Sequence, residues 1–278
     1  MSTVQILSLG AVAGSTIFLG LPMGRMHGLA TQVKAYLSAT ATGILLFLLW
    51  DVLSTAVDPI ESALKAGRDG RFLWLAALLA AGFSVGLLTL VYYDAHMKRR
   101  RSKALLGTGA ASTAEFERQQ TFIGAMSPAR WLALFIATGI GLHNFSEGLA
   151  IGQSAARDEV SLALMLIIGF GLHNATEGFG IVAPLSTEAE PPSWRFLGVM
   201  GLIAGGPTFV GTLVGQSFVN PTLFIAFLTL AAGSILYVVV QLLHIGHRLG
   251  HRELMMWGLL AGIFLGFATD FVLVAAGV

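Results

Sequence analysis

The chain contains 278 residues, of which 55% are hydrophobic and only 11% are charged. A soluble globular chain carries about 25% charged residues, so the composition excludes an ordinary soluble enzyme, a disordered chain and a nucleic-acid-binding protein. The net charge of +1 indicates no acidic partner, and the absence of cysteine excludes disulfide bonds and thiolate metal sites. This composition predicts a polytopic membrane protein.

Eight apolar runs follow one another along the chain, and each is long enough to cross the hydrocarbon core of a bilayer as a helix. A helix is the default structure in lipid because it satisfies its own backbone hydrogen bonds. The runs lie at about 4–21, 35–57, 72–93, 131–153, 160–183, 196–218, 222–243 and 254–276. The predicted fold class is therefore an all-α membrane protein with eight transmembrane helices, forming one domain over residues 1–278.

The distribution of Lys and Arg predicts the orientation of these spans. The loops at 22–34, 94–130, 184–195 and 244–253 hold 12 of the 16 basic residues, and the opposite side holds four. Because basic loops stay in the cytoplasm, both termini are predicted to lie outside. The longest loop, at about 94–130, is predicted to be cytoplasmic. Its run Lys98–Arg101 is interpreted as a topology anchor, with an anionic-lipid contact as the alternative.

Carboxylates, but no Lys or Arg, lie within the predicted spans. They are Asp51, Glu147, Glu177 and Asp270. A charged side chain at the bilayer centre costs about 2.5–3.5 kcal/mol on insertion scales, so each such group is a functional hypothesis. The two central glutamates either become neutral by protonation or bind a cation between them. Their sequence neighbours favour the cation.

The sequence around Glu147 recurs around Glu177, 30 positions further along the chain. The first copy reads GLHNFSEG and the second reads GLHNATEG, and seven of thirteen positions are identical between 140–152 and 170–182. The two copies lie on consecutive spans, whose chain directions are opposite. A two-fold axis in the membrane plane would therefore relate them, as in many secondary transporters. The duplication predicts an inverted repeat.

The repeated motif suits a divalent metal ion. His143 and Glu147 are four positions apart and share one face of a helix, and a facing second copy would supply a further imidazole and carboxylate. Two carboxylates cancel the charge of the ion, and the donor set favours Zn²⁺ while leaving Fe²⁺, Mn²⁺ and Cd²⁺ open. The alternative is that each His–Glu pair is only an internal hydrogen bond. Glycines on both spans predict that the two backbones approach closely.

The chain resembles the ZIP (Zrt/Irt-like protein) family of divalent metal transporters. That family is similar in having eight spans, outside termini, a long cytoplasmic loop between spans three and four, and His-Asn-x-Pro-Glu-Gly on span four with a related motif on span five. The resemblance implies metal uptake into the cytoplasm and places Asp51 near the outer entrance. It also implies the metal ligands His143, Asn144, Glu147, His173, Asn174 and Glu177.

The chain departs from the family pattern in three places. The family proline is replaced by Ser146 and Thr176, which can bend a helix by bonding back to the i−4 carbonyl. The Glu-Pro of span six is Gly206-Pro207, which removes a carboxylate but still predicts a broken helix. Span seven, often acidic in relatives, offers Gln241, which we assign to the ion path. These departures predict one metal centre rather than two.

Further polar residues lie toward the ends of the spans. Asp51 and Asp270 are predicted to form an acidic vestibule that concentrates cations, with simple solvation at the interface as the alternative. His244, His247 and His251 share one helix face and are either a metal exit or solvated helix ends. Of these three, we assign His244 to the ion path.

These observations predict a Zn²⁺ uptake transporter in the cytoplasmic membrane, with the metal ion and the lipid bilayer as its partners. A face such as Gly82-x-x-x-Gly86 is compatible with a homodimer. The first alternative is an intramembrane metal-dependent hydrolase, which needs an open metal position and a separate general base. Neither is evident in the motif, so no enzyme is predicted. The second alternative is a membrane metal sensor that transports nothing.

Overall fold

The computed structural model describes residues 2–26, 30–106, 126–156, 174–175, 177–217 and 220–275. Regular structure in these ranges is helical, with no strand. The helices are α1 (Thr3–Ser15), α2 (Thr31–Lys65), α3 (Asp69–Leu106), α4 (Pro128–Ala156), α5 (positions 174–175 and 177–182), α6 (Trp194–Gly215), α7 (Pro221–Leu249) and α8 (Arg252–Ala275). The predicted all-α class is confirmed.

Six stretches of the described chain are long and apolar enough to cross a membrane. They are Thr3–Arg25, Thr31–Lys65, Asp69–His96, Trp194–Gly215, Thr222–Leu249 and Arg252–Val272. These correspond to predicted spans one to three and six to eight. Helix α4 has 29 residues, which is about 43 Å of helix, but it carries the polar motif. The membrane class is confirmed, whereas the count of eight spans stays a prediction.

The helix ends follow the sequence signals for capping. α1 begins with a capping box in which Ser2 and Gln5 each accept a hydrogen bond from the other's backbone N–H. Ser193 caps α6, and Asn220 caps α7 by accepting bonds from two backbone N–H groups. α7 ends at Leu249, and the C-cap residue Gly250 has a φ of 79°, in the left-handed region that glycine tolerates.

Helix α3 is longer than the sequence predicted. It continues to Leu106 instead of ending near residue 93, so the beginning of the predicted 94–130 loop is helical. Residues 107–125 lie outside the described residues, and α4 begins at Pro128. The cytoplasmic location of this connection stays a prediction.

The first predicted span, 4–21, is not one regular α-helix. α1 ends at Ser15 and is followed by 3-10 turns at Thr16–Leu19 and Leu21–Arg25. The tighter turns accompany a close approach to α5, because a Cβ atom at Gly20 would lie 2.3 Å from a backbone oxygen of that helix. Only glycine fits at this crossing.

Helix α6 passes through Pro207 without interruption, so the predicted break at this position is wrong. A proline cannot donate to the carbonyl four residues earlier, which here belongs to Ile203. That carbonyl faces α4, where a Cβ atom at Gly141 would lie 2.4 Å from its oxygen. Close packing against a glycine of α4 therefore accompanies the lost hydrogen bond.

The helices pack in two groups. In the first group α4 lies along α6 and α6 contacts α1, while in the second group α2 lies along α8 and α3 along α7. Contacts between α4 and α7 join the two groups. The largest cluster of buried apolar side chains is shared by both groups.

Close backbone contacts recur in the first group and reveal its internal symmetry. A Cβ atom at Gly148 of α4 would lie 2.1 Å from the carbonyl oxygen of Thr208 in α6. The equivalent position in the second motif, Gly178 of α5, would lie 2.1 Å from the carbonyl oxygen of Ile17. α5 therefore packs on the turn after α1 as α4 packs on α6. The motif glycines described here contact other helices, and a close approach of the α4 and α5 backbones stays a prediction.

The second group repeats a contact in the same way. A Cβ atom at Gly262 of α8 would lie 2.1 Å from the carbonyl oxygen of Thr40 in α2, and one at Gly86 of α3 would lie 2.1 Å from that of Leu230 in α7. Gly82 also packs against α7, on Thr229. The Gly82-x-x-x-Gly86 face is thus used within the chain and gives no support to a homodimer.

The direction of the contacts identifies the repeat as inverted. α1 corresponds to α6, and the two run antiparallel because Gly10 lies against Thr212 while Gly14 lies against Gly205. α4 runs parallel to α6, and α5 runs parallel to α1. It follows that α4 and α5 are antiparallel, as the duplicated motif predicted.

Candidate metal centre

The first motif forms a buried polar pair on α4. His143 Nε2 lies 3.1 Å from Glu147 Oε1, and the two side chains are only 6% and 5% exposed. The spacing of four residues places them one turn apart on a continuous helix, as the sequence predicted. An imidazole nitrogen and a carboxylate oxygen are therefore adjacent in an apolar interior.

The two motif asparagines make equivalent contacts on opposite sides of the repeat. Asn144 Nδ2 donates to the Ala204 carbonyl of α6 at 3.1 Å, and Asn174 Nδ2 donates to the Ala13 carbonyl of α1 at 3.0 Å. Because only the NH₂ end of an amide can donate to a carbonyl, these bonds fix both amide orientations. Both Oδ1 atoms are buried and have no hydrogen-bond partner among the described residues.

The second motif is described only in part. Glu177 is 1% exposed on α5, whereas His173 and Thr176 lie outside the described residues. Within the part of the chain that the structure describes, no group of three or more His, Asp or Glu side chains is placed to hold a metal ion. The complete set of two histidines and two glutamates therefore stays a prediction.

Two buried hydroxyl groups flank the motif. Ser146 is 1% exposed and its Oγ has no hydrogen-bond partner among the described residues, so the predicted bond back to the i−4 carbonyl is not formed and α4 continues as a helix. Thr208 of α6 is fully buried, and its Oγ1 also has no hydrogen-bond partner among the described residues. Nearby, a Cβ atom at Gly206 would meet no described residue within 4 Å, so among the described residues α6 leaves space at this position.

The predicted path residues lie in the second halves of their helices. Asp51 and Gln241 are both half-buried, and each lies eight residues after a glycine that packs closely in its helix, Gly43 in α2 and Gly233 in α7. The repeat therefore makes Asp51 and Gln241 equivalent. His244 is exposed. Their roles stay predictions.

One carboxylate was missed by the sequence analysis. Asp94 was assigned to a loop, but it lies inside the apolar stretch Asp69–His96. Tyr237 of α7, which is 5% exposed, makes a side-chain hydrogen bond to it. A sequence signal was present, because Asp94 follows Gly86 at the same spacing as Asp270 follows Gly262. Asp270 is half-buried on α8.

Two cavities of unequal size lie at positions that the repeat relates. One of about 170 Å³ lies between α4, α6 and α7, and one of about 30 Å³ lies between the turns after α1, α2 and α5. The repeat pairs lining residues of the larger cavity with lining residues of the smaller one. With the larger cavity's residue first, the pairs are Leu149 and Phe179, Gln153 and Ala183, Val214 and Met23, and Phe227 and Leu37.

Two comparisons with known proteins found sequence matches to this chain. The family model described as ZIP Zinc transporter matches residues 93–273. The chain is also 29% identical over 253 residues to the zinc transporter ZupT of Chlorobium phaeovibrioides (strain DSM 265 / 1930), an alignment that covers 79% of this chain and 93% of that relative.

Proposed function

Because the chain belongs to the ZIP zinc transporter family, we propose that it carries Zn²⁺ across the cytoplasmic membrane into the cytoplasm through one site on α4 and α5. A multi-pass membrane protein of this family is a transporter of divalent metal and not an enzyme. The direction of transport, the membrane and the ligand set are parts of our proposal. So is a single transmembrane domain over residues 1–278.

One observation carries the proposed site, namely that His143 and Glu147 are buried in contact and that Glu177 of the second motif is buried as well, each with donor atoms of the kinds that zinc binds. As whole residues, His143, Glu147 and Glu177 are each at most 5% exposed. Removing a carboxylate from water costs several kcal/mol unless a positive charge or hydrogen bonds compensate it. A divalent ion bound between two glutamates supplies that compensation and cancels their charge.

The spacing of His143 and Glu147 suits a shared ion. Zinc lies about 2.0–2.2 Å from imidazole nitrogen and carboxylate oxygen, so two ligands of a tetrahedral ion are about 3.3 Å apart. The observed distance between Nε2 and Oε1 is 3.1 Å. Zinc could therefore replace their direct contact with little movement of either side chain. Glu177 and His173 would supply the remaining two ligands.

The asparagine oxygens support a role close to the ion. Each amide is fixed by a bond to a neighbouring helix, which leaves Oδ1 of Asn144 and Asn174 as buried acceptors. Buried acceptors of this kind bind an ion directly or orient a water molecule on it. Because Gly206 supplies no carboxylate from α6, we propose one metal ion rather than two.

The unequal cavities support movement between an outward-open and an inward-open state. The larger cavity is lined by Gln153 and Asn220, next to loops predicted to lie outside, and the smaller one by Lys34, next to a predicted cytoplasmic loop. An inverted repeat can exchange its two halves between states. We propose that the cavities exchange sizes as the two helix groups shift, with Asp51 and Asp270 at the outer side and Gln241 and His244 at the inner side.

The test is Zn²⁺ flux into proteoliposomes with a fluorescent indicator inside. Glu147→Gln and His173→Ala should abolish flux, while Glu190→Gln, an exposed change of the same charge, should not. Flux that survives both site changes would reject the proposed site. Tight binding without flux in the unaltered chain would favour a sensor. The same assay with Fe²⁺, Mn²⁺ and Cd²⁺ would rank the other metals.

A further inference from the structure

A second polar cluster lies where helices α4, α5 and α6 meet at one end of the bundle. We call it the end clasp and define it as Ser127, Arg130 and Glu188. Arg130 Nε donates to Glu188 Oε2 at 3.0 Å, and the Ser127 hydroxyl donates to Glu188 Oε1. Both oxygens of one carboxylate are therefore used, by two residues at the beginning of α4.

The local structure holds the clasp residues in place. Ser127 precedes Pro128 at the first position of α4, and its Oγ accepts a bond from the Arg130 backbone N–H at 3.1 Å. Glu188 ends the 3-10 turn that follows α5, with its N–H donating to the Leu185 carbonyl at 3.0 Å. The clasp thus links the N-cap of α4 to the end of α5.

Arginines extend the connection to the other helices of the first group. The Arg130 guanidinium lies 5.8 Å from the ring centre of buried Phe196 in α6. Arg25, at the end of the turns after α1, donates to the Pro192 carbonyl at 2.5 Å and stacks 4.8 Å from the ring centre of Trp194. All four helices of the first group are therefore joined at this end.

The clasp is more buried than an ordinary surface ion pair. The Glu188 and Arg130 side chains are 13% and 32% exposed, against 55% and 77% for Glu61 and Lys65 on α2. An exposed pair such as the latter contributes little to stability, because water and salt screen its charges. A carboxylate that is mostly buried and bonded by both oxygens holds its partners in a defined geometry.

We propose that Glu188 is a positioning residue that fixes the register of α5 against α4, so that ligands from the two helices share one ion. This inference rests on the proposed site. In the middle of the bundle the close contacts of the described residues pair α4 with α6 and α5 with the turns after α1, whereas the clasp joins α4 to the end of α5 directly. A shift of α5 along its axis would move Glu177 by the same distance. A metal site tolerates only about 0.2 Å in ligand distance, so even a small shift would weaken metal binding.

The test compares Zn²⁺ affinity and flux in the full chain. Glu188→Gln keeps a carbonyl for Ser127 but removes the charge that Arg130 binds. We expect Zn²⁺ affinity to fall roughly tenfold, in the range found when groups that orient metal ligands are removed. Glu190→Gln is the matched control, because Glu190 is exposed in the same loop and its substitution removes the same charge. It should leave both affinity and flux unchanged.

The paired change Arg130→Glu with Glu188→Arg separates positioning from general stability. The exchanged pair should recover Zn²⁺ affinity relative to either single reversal, because the link between α4 and α5 is restored with its charges exchanged. Unchanged affinity in Glu188→Gln, or a pair no better than the singles, would overturn the proposal. Loss of binding in Glu147→Gln, measured in parallel, tests the metal site separately, and thermal unfolding in detergent identifies variants that do not fold.

Discussion

The two helix groups contain buried polar side chains that are used in different ways. In the second group, Thr42 and Ser234 are buried and their hydroxyls donate to the carbonyl four residues earlier in the same helix, at 2.9 and 3.1 Å. In the first group Thr212 is bonded in the same way, but Asn144 and Asn174 donate to other helices and leave an oxygen buried. Polar groups satisfied within one helix are part of its structure, whereas those that converge from different helices indicate a ligand.

The glycine contacts show what the two groups share. Each group contains close backbone contacts that the repeat relates to one another. Gly148 on Thr208 is one such contact in the first group, and Gly262 on Thr40 is one in the second. The repeat therefore sets the backbone of both groups, and the side chains placed on it distinguish them. Ser38 is an exception in the second group, since its Oγ has no hydrogen-bond partner among the described residues, and it lines the smaller cavity.

The largest expected effect contrasts Glu177 with Thr42. Glu177→Gln removes a charge that would bind the ion directly, so we expect at least about a 100-fold loss of Zn²⁺ affinity, above the 10- to 100-fold seen for outer-shell groups. Thr42→Val removes a hydroxyl bonded only within its own helix and should change stability by about 1 kcal/mol or less, with affinity unchanged. Isothermal titration with Zn²⁺ in detergent measures the affinity of both variants, and thermal unfolding measures the stability of Thr42→Val. Equal losses in the two variants would remove the distinction between the groups.

A second prediction concerns the glycines of the repeat. Gly148→Ala and Gly178→Ala would each place a Cβ atom 2.1 Å from a carbonyl oxygen, so each should destabilise the protein by about 1–3 kcal/mol. Gly198→Ala is the control, because a Cβ atom there meets no described residue within 4 Å, and alanine favours the helix by about 0.5–1 kcal/mol. Thermal unfolding in detergent should show a lower melting temperature for Gly148→Ala and Gly178→Ala than for Gly198→Ala. A destabilised Gly198→Ala would contradict it.

Much of the architecture could be predicted from the sequence because lipid restricts the backbone to a few structures. Apolar length located six helices that the structure confirms as candidate spans, and the duplicated motif predicted the antiparallel relation of α4 and α5. The wider repeat was not predicted, because outside the motif it is kept mainly as glycine spacing. Helix ends were less accurate, since α3 continues to Leu106 past polar residues that hydropathy counts as loop.

The candidate site was predicted less completely, for reasons that lie in tertiary contacts. The i, i+4 spacing predicted the contact of His143 with Glu147, but it could not show that each asparagine NH₂ would bind another helix. Pro207 was predicted to break α6, but the carbonyl it leaves unbonded packs on a glycine of α4. The end clasp joins residues far apart in the chain, such as Arg130 and Glu188, and no local sequence pattern predicts such a pair.

A third prediction uses the open space at Gly206. A Cβ atom there meets no described residue within 4 Å, so Gly206→Glu should be accommodated. It should add a carboxylate from α6 two residues after Ala204, whose carbonyl binds Asn144. We expect the Zn²⁺ stoichiometry to rise from about one to about two ions per chain, because oxygen donors suit a second divalent ion. Metal analysis after gel filtration measures this ratio. Gly206→Gln is the control, and an unchanged ratio in the glutamate variant would place α6 away from the site.

The smallest expected effect lies at the two ends of the proposed path. Asp51 and Gln241 are equivalent under the repeat, yet only Asp51 is charged. An acid at the outer side would attract Zn²⁺, whereas an amide at the inner side would let it leave. A half-buried charge acts through solvent, where salt screens it over about 8 Å at physiological ionic strength and about 30 Å at 0.01 M. Asp51→Asn should therefore raise the KM for Zn²⁺ flux by about twofold at physiological salt and by more at low salt, with the maximal rate unchanged.

Gln241→Glu should instead lower the maximal rate of Zn²⁺ flux by slowing release of the ion. A salt-independent KM in Asp51→Asn, or a faster Gln241→Glu, would mean that this difference in charge does not direct the ion.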